Sequence, residues 1–134
     1  MQFLSLFSGV GGFDLALERA GMECIGQVEK DAACLRVLEH HWPKVVKEID
    51  VEKTKGKHYT DARLLCGGFP CQNLSVAGDR AGLAGKQSRL FFELTRIAQE
   101  AAVRWVLVEN VPGLLSSNNG RDMATVVGTL AKLG

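Results

Sequence analysis

Phe3-Leu4-Ser5-Leu6-Phe7-Ser8-Gly9-Val10-Gly11-Gly12-Phe13-Asp14-Leu15-Ala16-Leu17-Glu18-Arg19-Ala20-Gly21 is the stretch on which the architecture turns. Its front, Phe3 to Phe7, is short and apolar and reads as a strand, which Gly9-Val10-Gly11-Gly12 breaks. Phe13, Ala16, Leu17 and Ala20 then fall at the i, i+3, i+4, i+7 spacing of one helix face, and Gly21 ends the helix. A strand, a glycine turn and an amphipathic helix in this order open an α/β unit.

The same alternation continues along the chain. Cys24 to Val28 reads as a second strand, and Asp31 is placed to cap a helix with Cys34, Leu35 and Leu38 on its inner face. Val45 and Val46 begin a weak third strand ending near Asp50, and the charged stretch Glu52 to His58 reads as a loop. Ala62 to Cys66 is a fourth strand, followed by a long segment rich in Gly, Ser and Asn. Helical spacing resumes with Leu90, Leu94, Ile97, Ala98 and Ala101. Trp105 to Val108 is a fifth strand, apolar enough to predict burial on both faces. A loop holding Pro112-Gly113 and Ser116 to Gly120 leads to a last helix carrying Met123, Val126, Val127 and Leu130. Strands alternating with helices predict a mostly parallel sheet with helices on both faces.

Composition sets wide bounds. The 134 residues are 46% hydrophobic with a formal net charge of +1, ordinary values for one globular unit that needs neither disulfides nor a structural metal to fold. Near-neutral net charge speaks neither for nor against a nucleic-acid partner, because it does not say where charges cluster. No stretch approaches the length of a membrane span, and Met1-Gln2-Phe3 lacks the basic start of a secretory signal, so a cytoplasmic protein is expected. Cys24, Cys34, Cys66 and Cys71 form no Cys-x-x-Cys pair, and His40, His41 and His58 lie elsewhere, so no metal site is expected and the thiols should be reduced.

In parallel sheets ligands collect at the carboxyl ends of the strands. Five features of this sequence fall there: the glycine turn, Glu29, Asp50, Pro70-Cys71 and Glu109. Gly9, Gly11 and Gly12 let the backbone turn sharply and bring a ligand close to a helix start. The dinucleotide fingerprint asks for a further glycine where this chain has Asp14. An acid there suits a cofactor bearing positive charge better than a pyrophosphate. Glu29 follows at about the distance of the acid that binds ribose hydroxyls, or is a solvated acid at a helix start. Cys71 could act only as a thiolate, and is otherwise a small loop residue. Glu109 ends an apolar strand, where desolvation would favour the protonated form, or it merely caps the strand.

These residues resemble a known family. Phe7-Ser8-Gly9-Val10-Gly11-Gly12-Phe13 resembles the cofactor motif of the DNA cytosine-5 methyltransferases, and Gly68-Phe69-Pro70-Cys71-Gln72, with Ser75, Ala77 and Gly78, resembles the motif of their nucleophile. Glu109-Asn110-Val111 resembles the motif of their acid, and Leu90-Phe91-Phe92-Glu93 with Arg96-Ile97 resembles the helix between. The resemblance implies a Rossmann-like S-adenosylmethionine-dependent methyltransferase fold and DNA methylation of the restriction-modification kind. It implies Cys71 as the nucleophile at carbon 6 of a flipped-out cytosine and Glu109 as the acid at ring nitrogen 3. Phe7, Gly9, Gly11, Gly12 and Leu90 would line the S-adenosylmethionine site, with Glu29 on the ribose and Asp50 on the adenine amino group. Gln72 and Ser75, with Arg80, Lys86 and Arg89 for phosphates, would meet double-stranded DNA. Ile49 and Val51 beside Asp50, and Arg89 directly before Leu90, depart from the family pattern.

The family continues past this point with a strand carrying an arginine motif, a region that reads the DNA sequence, and a last helix. Residues 1–134 therefore read as one partial catalytic domain without the target-reading part, weak or inactive alone. Either the sequence is truncated before its last strands or it works with a second polypeptide. The fifth strand's unpaired edge predicts a homo-oligomer. Two relatives of this reading stay open, a transfer-RNA methyltransferase of the same family and a cofactor-binding module without turnover. A nicotinamide dehydrogenase fits less well, since Asp14 breaks its fingerprint and Pro70-Cys71-Gln72 would be unexplained.

Overall fold

The computed structural model describes residues 1–69 and 88–134. Five parallel strands form one sheet: β1 (Gln2–Leu6), β2 (Glu23–Val28), β3 (Val46–Glu48), β4 (Leu64–Gly68) and β5 (Trp105–Glu109), in the order β3-β2-β1-β4-β5. The chain thus runs outward from β1 in one direction, then crosses back to add β4 and β5 on the other side. The reversal lies between β1 and β4, the kind of switch point at which open α/β sheets leave a crevice for ligands.

Among the described residues four α-helices connect and cover the strands: α1 (Gly12–Arg19), α2 (Ala32–His41), α3 (Ser88–Ala101) and α4 (Arg121–Ala131). Phe13 and Leu17 of α1 pack over Phe3, Cys24, Leu64 and Cys66 on one sheet face. Leu4, Leu6, Val28 and Leu65 point the other way, against Phe91, Leu94, Ile97 and Ala101 of α3 and Val126 of α4. The two apolar sets follow from the strand period of two meeting helical spacing, as the sequence predicts. Gly21, with φ of 82°, ends α1. Asp31 caps α2, its carboxylate accepting from the Ala33 and Cys34 amides at 2.9 Å each.

The fifth strand departs from its expected burial on both faces. Trp105 and Leu107 are 66% and 39% exposed, whereas Val106 and Val108 pack against the α3 side of the core. Trp105 pairs in register with Leu64 and therefore faces the α1 side, but β5 is the outermost strand and α1 lies over β1 and β2. An apolar run does not distinguish a central strand from an edge strand whose outer face is open. Glu52 to His58 also differs from a plain loop, because Gly56–Tyr59 forms a 3-10 turn in which Tyr59 is buried and lies over Gly26.

Asp14 takes a different place from the one its position suggests. Its side chain is fully buried beneath the sheet, accepting hydrogen bonds from Ser5 Oγ at 2.9 Å and Gln27 Nε2 at 2.8 Å, with the Cys24 thiol at 3.4 Å. It binds protein donors and ties α1 to β1 and β2. Replacing Asp14 by alanine would leave the buried Ser5 and Gln27 donors unpaired. Asp14→Ala should lower unfolding stability by about 2–4 kcal/mol in urea titration. An unchanged midpoint and slope would contradict this structural role.

Candidate functional site

The turn after β1 is shaped by three residues in the left-handed region: Phe7 (φ 54°), Gly9 (φ 56°) and Gly11 (φ 86°). For Phe7 this conformation is strained, and it persists because the flanking strand and helix fix both ends. At Gly11 a side chain would run into the Trp42 ring, which packs on the turn from the end of α2. Trp42 is itself held by its indole donating to Glu18 at 2.8 Å. The Gly9 amide donates to Glu29 Oε2 at 2.7 Å, and the Asp31 amide donates to Glu29 Oε1 at 2.8 Å. Glu29 thereby joins the glycine turn to the start of α2.

Beside this junction lies a cavity of about 320 Å³, lined by Phe7, Val28, Glu29, Lys30, Ile49, Asp50, Val51, Glu52 and Leu90. It sits at the carboxyl ends of β1, β2 and β3 and is bounded on one side by the first turns of α3. Its lining combines apolar surface with three carboxylates and one lysine. Such walls suit a ligand with a flat apolar part, hydroxyl or amino donors, and positive charge. Phe7, Glu29, Asp50 and Leu90 are brought together here, while Gly9 stands behind Glu29, and Gly11 and Gly12 shape the turn without lining the cavity. Asp50 also organises its own turn, accepting from the Glu52 amide at 3.0 Å.

A second cluster forms across the switch point. β4 and β5 pair with Gly68 opposite Glu109, and a Cβ at position 68 would meet Glu109 Oε2 at 2.6 Å. The missing side chain of Gly68 is what lets the carboxylate lie over the end of β4. Asn110 fastens the two strand ends, its Nδ2 donating to the Phe69 carbonyl at 3.0 Å while its Oδ1 accepts from the Val111 amide at 2.9 Å. The acid is thus carried to the strand end from which Gly68-Phe69-Pro70-Cys71-Gln72 departs. Glu109 is exposed among the described residues, not desolvated as the apolar strand before it suggests. Gly68 and Asn110 shape this strand end, a part that position alone did not single out, although both stand inside the quoted motifs.

Cys71, Gln72, Ser75, Arg80 and Lys86 lie outside the described residues. Arg89 is described, on the first turn of α3, and reaches to 4.0 Å from Glu52 at the cavity rim, both side chains largely exposed. Of the described thiols, Cys66 is fully buried and its pKa is pushed up to about 12 by burial; Cys24 is raised further by burial and by Asp14. Neither can be a thiolate near neutral pH. Cys34 is also raised, by desolvation and by the adjacent Asp31. Among the described residues no group of three or more His, Cys, Asp or Glu could hold a metal ion. No described helix is long and apolar enough to cross a membrane.

The sheet order and the cavity at its strand ends fit the methyltransferase class of α/β folds. The chain belongs to the C-5 cytosine-specific DNA methylase family, whose model matches residues 1–134. It is 36% identical over 99% of its length to the type II methyltransferase M.HhaI of Haemophilus parahaemolyticus, covering 40% of that protein. It is also 38% identical over 98% of its length to the type II methyltransferase M.Eco47II of Escherichia coli, covering 32% of it. The fold superimposes on Spodoptera frugiperda DNMT2 with a TM-score of 0.77 at 20% identity, covering 98% of this chain and 41% of that one. The chain therefore spans about two-fifths or less of the relatives it matches.

Gly68 and Gly67 give a paired test of this geometry. At Gly68 the added carbon meets the movable end of Glu109, whereas at Gly67 it meets the Leu6 backbone carbonyl at 2.5 Å. Gly68→Ala should cost less than about 1 kcal/mol yet shift the Glu109 carboxyl carbon resonance, while Gly67→Ala should cost about 1–3 kcal/mol. An unmoved Glu109 resonance in a folded Gly68→Ala protein would contradict the placement of the carboxylate.

Proposed function

We propose that these residues supply the cofactor site and the reacting groups of a DNA cytosine-5 methyltransferase. The observation that carries the reading is the register of β4 on β5, which sets Glu109 over Gly68 at the strand end leading to Cys71, at the same end of the sheet as the carboxylate-lined cavity. S-adenosylmethionine, when bound, supplies an electrophilic methyl group on a sulfonium. Phe7, Val28, Ile49 and Leu90 would offer the apolar walls for its adenine, Glu29 would hold its ribose hydroxyls, and Asp50 its adenine amino group, all of them residues that line the cavity. Three carboxylates around one lysine also suit its positive charge.

Carbon 5 of cytosine is too weak a nucleophile to take a methyl group unaided. Cys71, as a thiolate, adds to carbon 6 of the flipped base, and Glu109, protonated once the bound base covers its exposed carboxyl, donates a hydrogen bond to ring nitrogen 3, where charge develops. The enamine so formed directs electron density to carbon 5. Carbon 5 would then take the methyl group as the methyl–sulfonium bond breaks and S-adenosylhomocysteine is released, and loss of the carbon 5 proton with expulsion of the Cys71 thiolate would leave 5-methylcytosine. Gln72, Ser75, Arg80, Lys86 and Arg89 contact the DNA around the extruded base. The burial and raised thiols of Cys24 and Cys66 support assigning this role to Cys71.

Residues 1–134 form part of one catalytic domain, and sequence reading is assigned to polypeptide outside these residues, on a longer form of this chain or on a second one, since the relatives are longer. The chain alone is therefore weak or inactive. The open apolar face at Trp105 and Leu107 on the outermost strand supports self-association or docking of that other polypeptide, in the cytoplasm, where the thiols stay reduced.

The test is calorimetric binding of S-adenosylhomocysteine to the 134-residue chain, followed by complementation with the carboxyl-terminal part of a relative. Binding is expected, weakened about tenfold or more by Glu29→Ala. Cys71→Ser should bind as well as the parent but abolish methyl transfer to DNA in the complemented protein. Methyl transfer that survives without the thiol, or that appears only on transfer RNA, contradicts the reading, and light scattering that gives a stable monomer at high concentration contradicts the self-association.

A further inference from the structure

Arg96, on α3, does not line the cavity, yet its guanidinium joins two elements that do. Its Nε donates to Glu93 Oε2 at 2.7 Å, with Nη2 forming an ion pair to the same oxygen at 2.6 Å, and its Nη1 donates to Glu100 Oε1 at 2.9 Å. Nη2 also reaches across to the loop after β3, donating to the carbonyls of Val51 at 3.2 Å and Thr54 at 3.0 Å. Glu100 completes the link by accepting from the Gly56 amide at 2.8 Å. Gly56 fits flush against α3, since a Cβ there would meet Glu100 Cβ at 2.7 Å.

The loop so held is the far wall of the cavity. Asp50, Val51 and Glu52 line it, and the turn is drawn tight because the Lys53 and Thr54 amides and the Thr54 hydroxyl all converge on the Asp50 carbonyl at 3.0–3.1 Å. Thr54 is fully buried. The opposite wall, Leu90, stands on the same helix as Arg96. One helix therefore fixes the spacing of two cavity walls.

We propose that Arg96 is a positioning residue for the cofactor cavity, setting the distance between the 50–54 loop and α3 through its two backbone carbonyl bonds. The proposal rests on the reading of the cavity as a cofactor site. The competing explanation is an ordinary pair of i,i+3 and i,i+4 ion pairs, which stabilise a helix surface only slightly. The two explanations part over lysine. Lysine keeps the charge beside Glu93 and Glu100, but a single ammonium cannot also span two carbonyls as the planar guanidinium does.

The experiment uses the 134-residue chain with Arg96→Lys, and Arg96→Met beside it. Amide hydrogen exchange without ligand reads the loop directly, through Lys53 and Thr54. Both variants should exchange about tenfold faster there, and Arg96→Lys should bind S-adenosylhomocysteine about tenfold more weakly while staying folded. Parent-like exchange at Lys53 and Thr54 in Arg96→Lys overturns the proposal, as does parent-like affinity. If the parent chain binds no cofactor, the cofactor reading itself fails, and exchange at the loop still decides whether Arg96 holds it.

Discussion

A carboxylate with no exposure to water holds the first turn of this molecule in place. Asp14, in the first turn of α1, collects donors from Ser5 on β1 and Gln27 on β2, so the helix start is bolted to two adjacent strands. Burying such a group is tolerable only because its oxygens are engaged and the helix amino terminus favours negative charge. With both ends fixed, the seven-to-eleven turn has little freedom, which accounts for the positive φ of Phe7, Gly9 and Gly11. Glu29 then closes on the Gly9 amide, and the wall of the cavity is set.

The other half of the site depends on backbone proximity more than on charge. Gly67 allows β4 to pass close to the Leu6 carbonyl of β1, and Gly68 leaves room for Glu109. Asn110 holds the two strand ends together through the Phe69 carbonyl. Between the halves runs α3, with Leu90 at the cavity and Arg96 on the loop that faces it. The cavity walls and Glu109 thereby share one end of the sheet, as the proposed methyl transfer between two bound molecules requires.

Much of this was legible from residue order. The Phe13, Ala16, Leu17 spacing and the Asp31 cap carry their information locally. Asp14 was not legible in the same way, because an acid after a glycine turn can face a ligand or the sheet. The signal for the second choice was Ser5, a polar residue on the same strand face as Phe3, which needed a buried partner. Trp105 misled for a related reason, since an apolar strand does not say how many neighbours it has. Thr54 and Gly56 sit in a charged stretch that looks like a solvated loop. Their burial comes from contacts with α3, more than forty residues away in sequence.

The central claim is that the cavity at the ends of β1, β2 and β3 holds the methyl donor, and a crystal structure with S-adenosylhomocysteine tests it most directly. The account predicts the ribose within hydrogen-bond distance of Glu29 and the adenine amino group at Asp50, between Phe7 and Leu90. Density for the ligand elsewhere on the chain, with this cavity filled only by solvent, would contradict it.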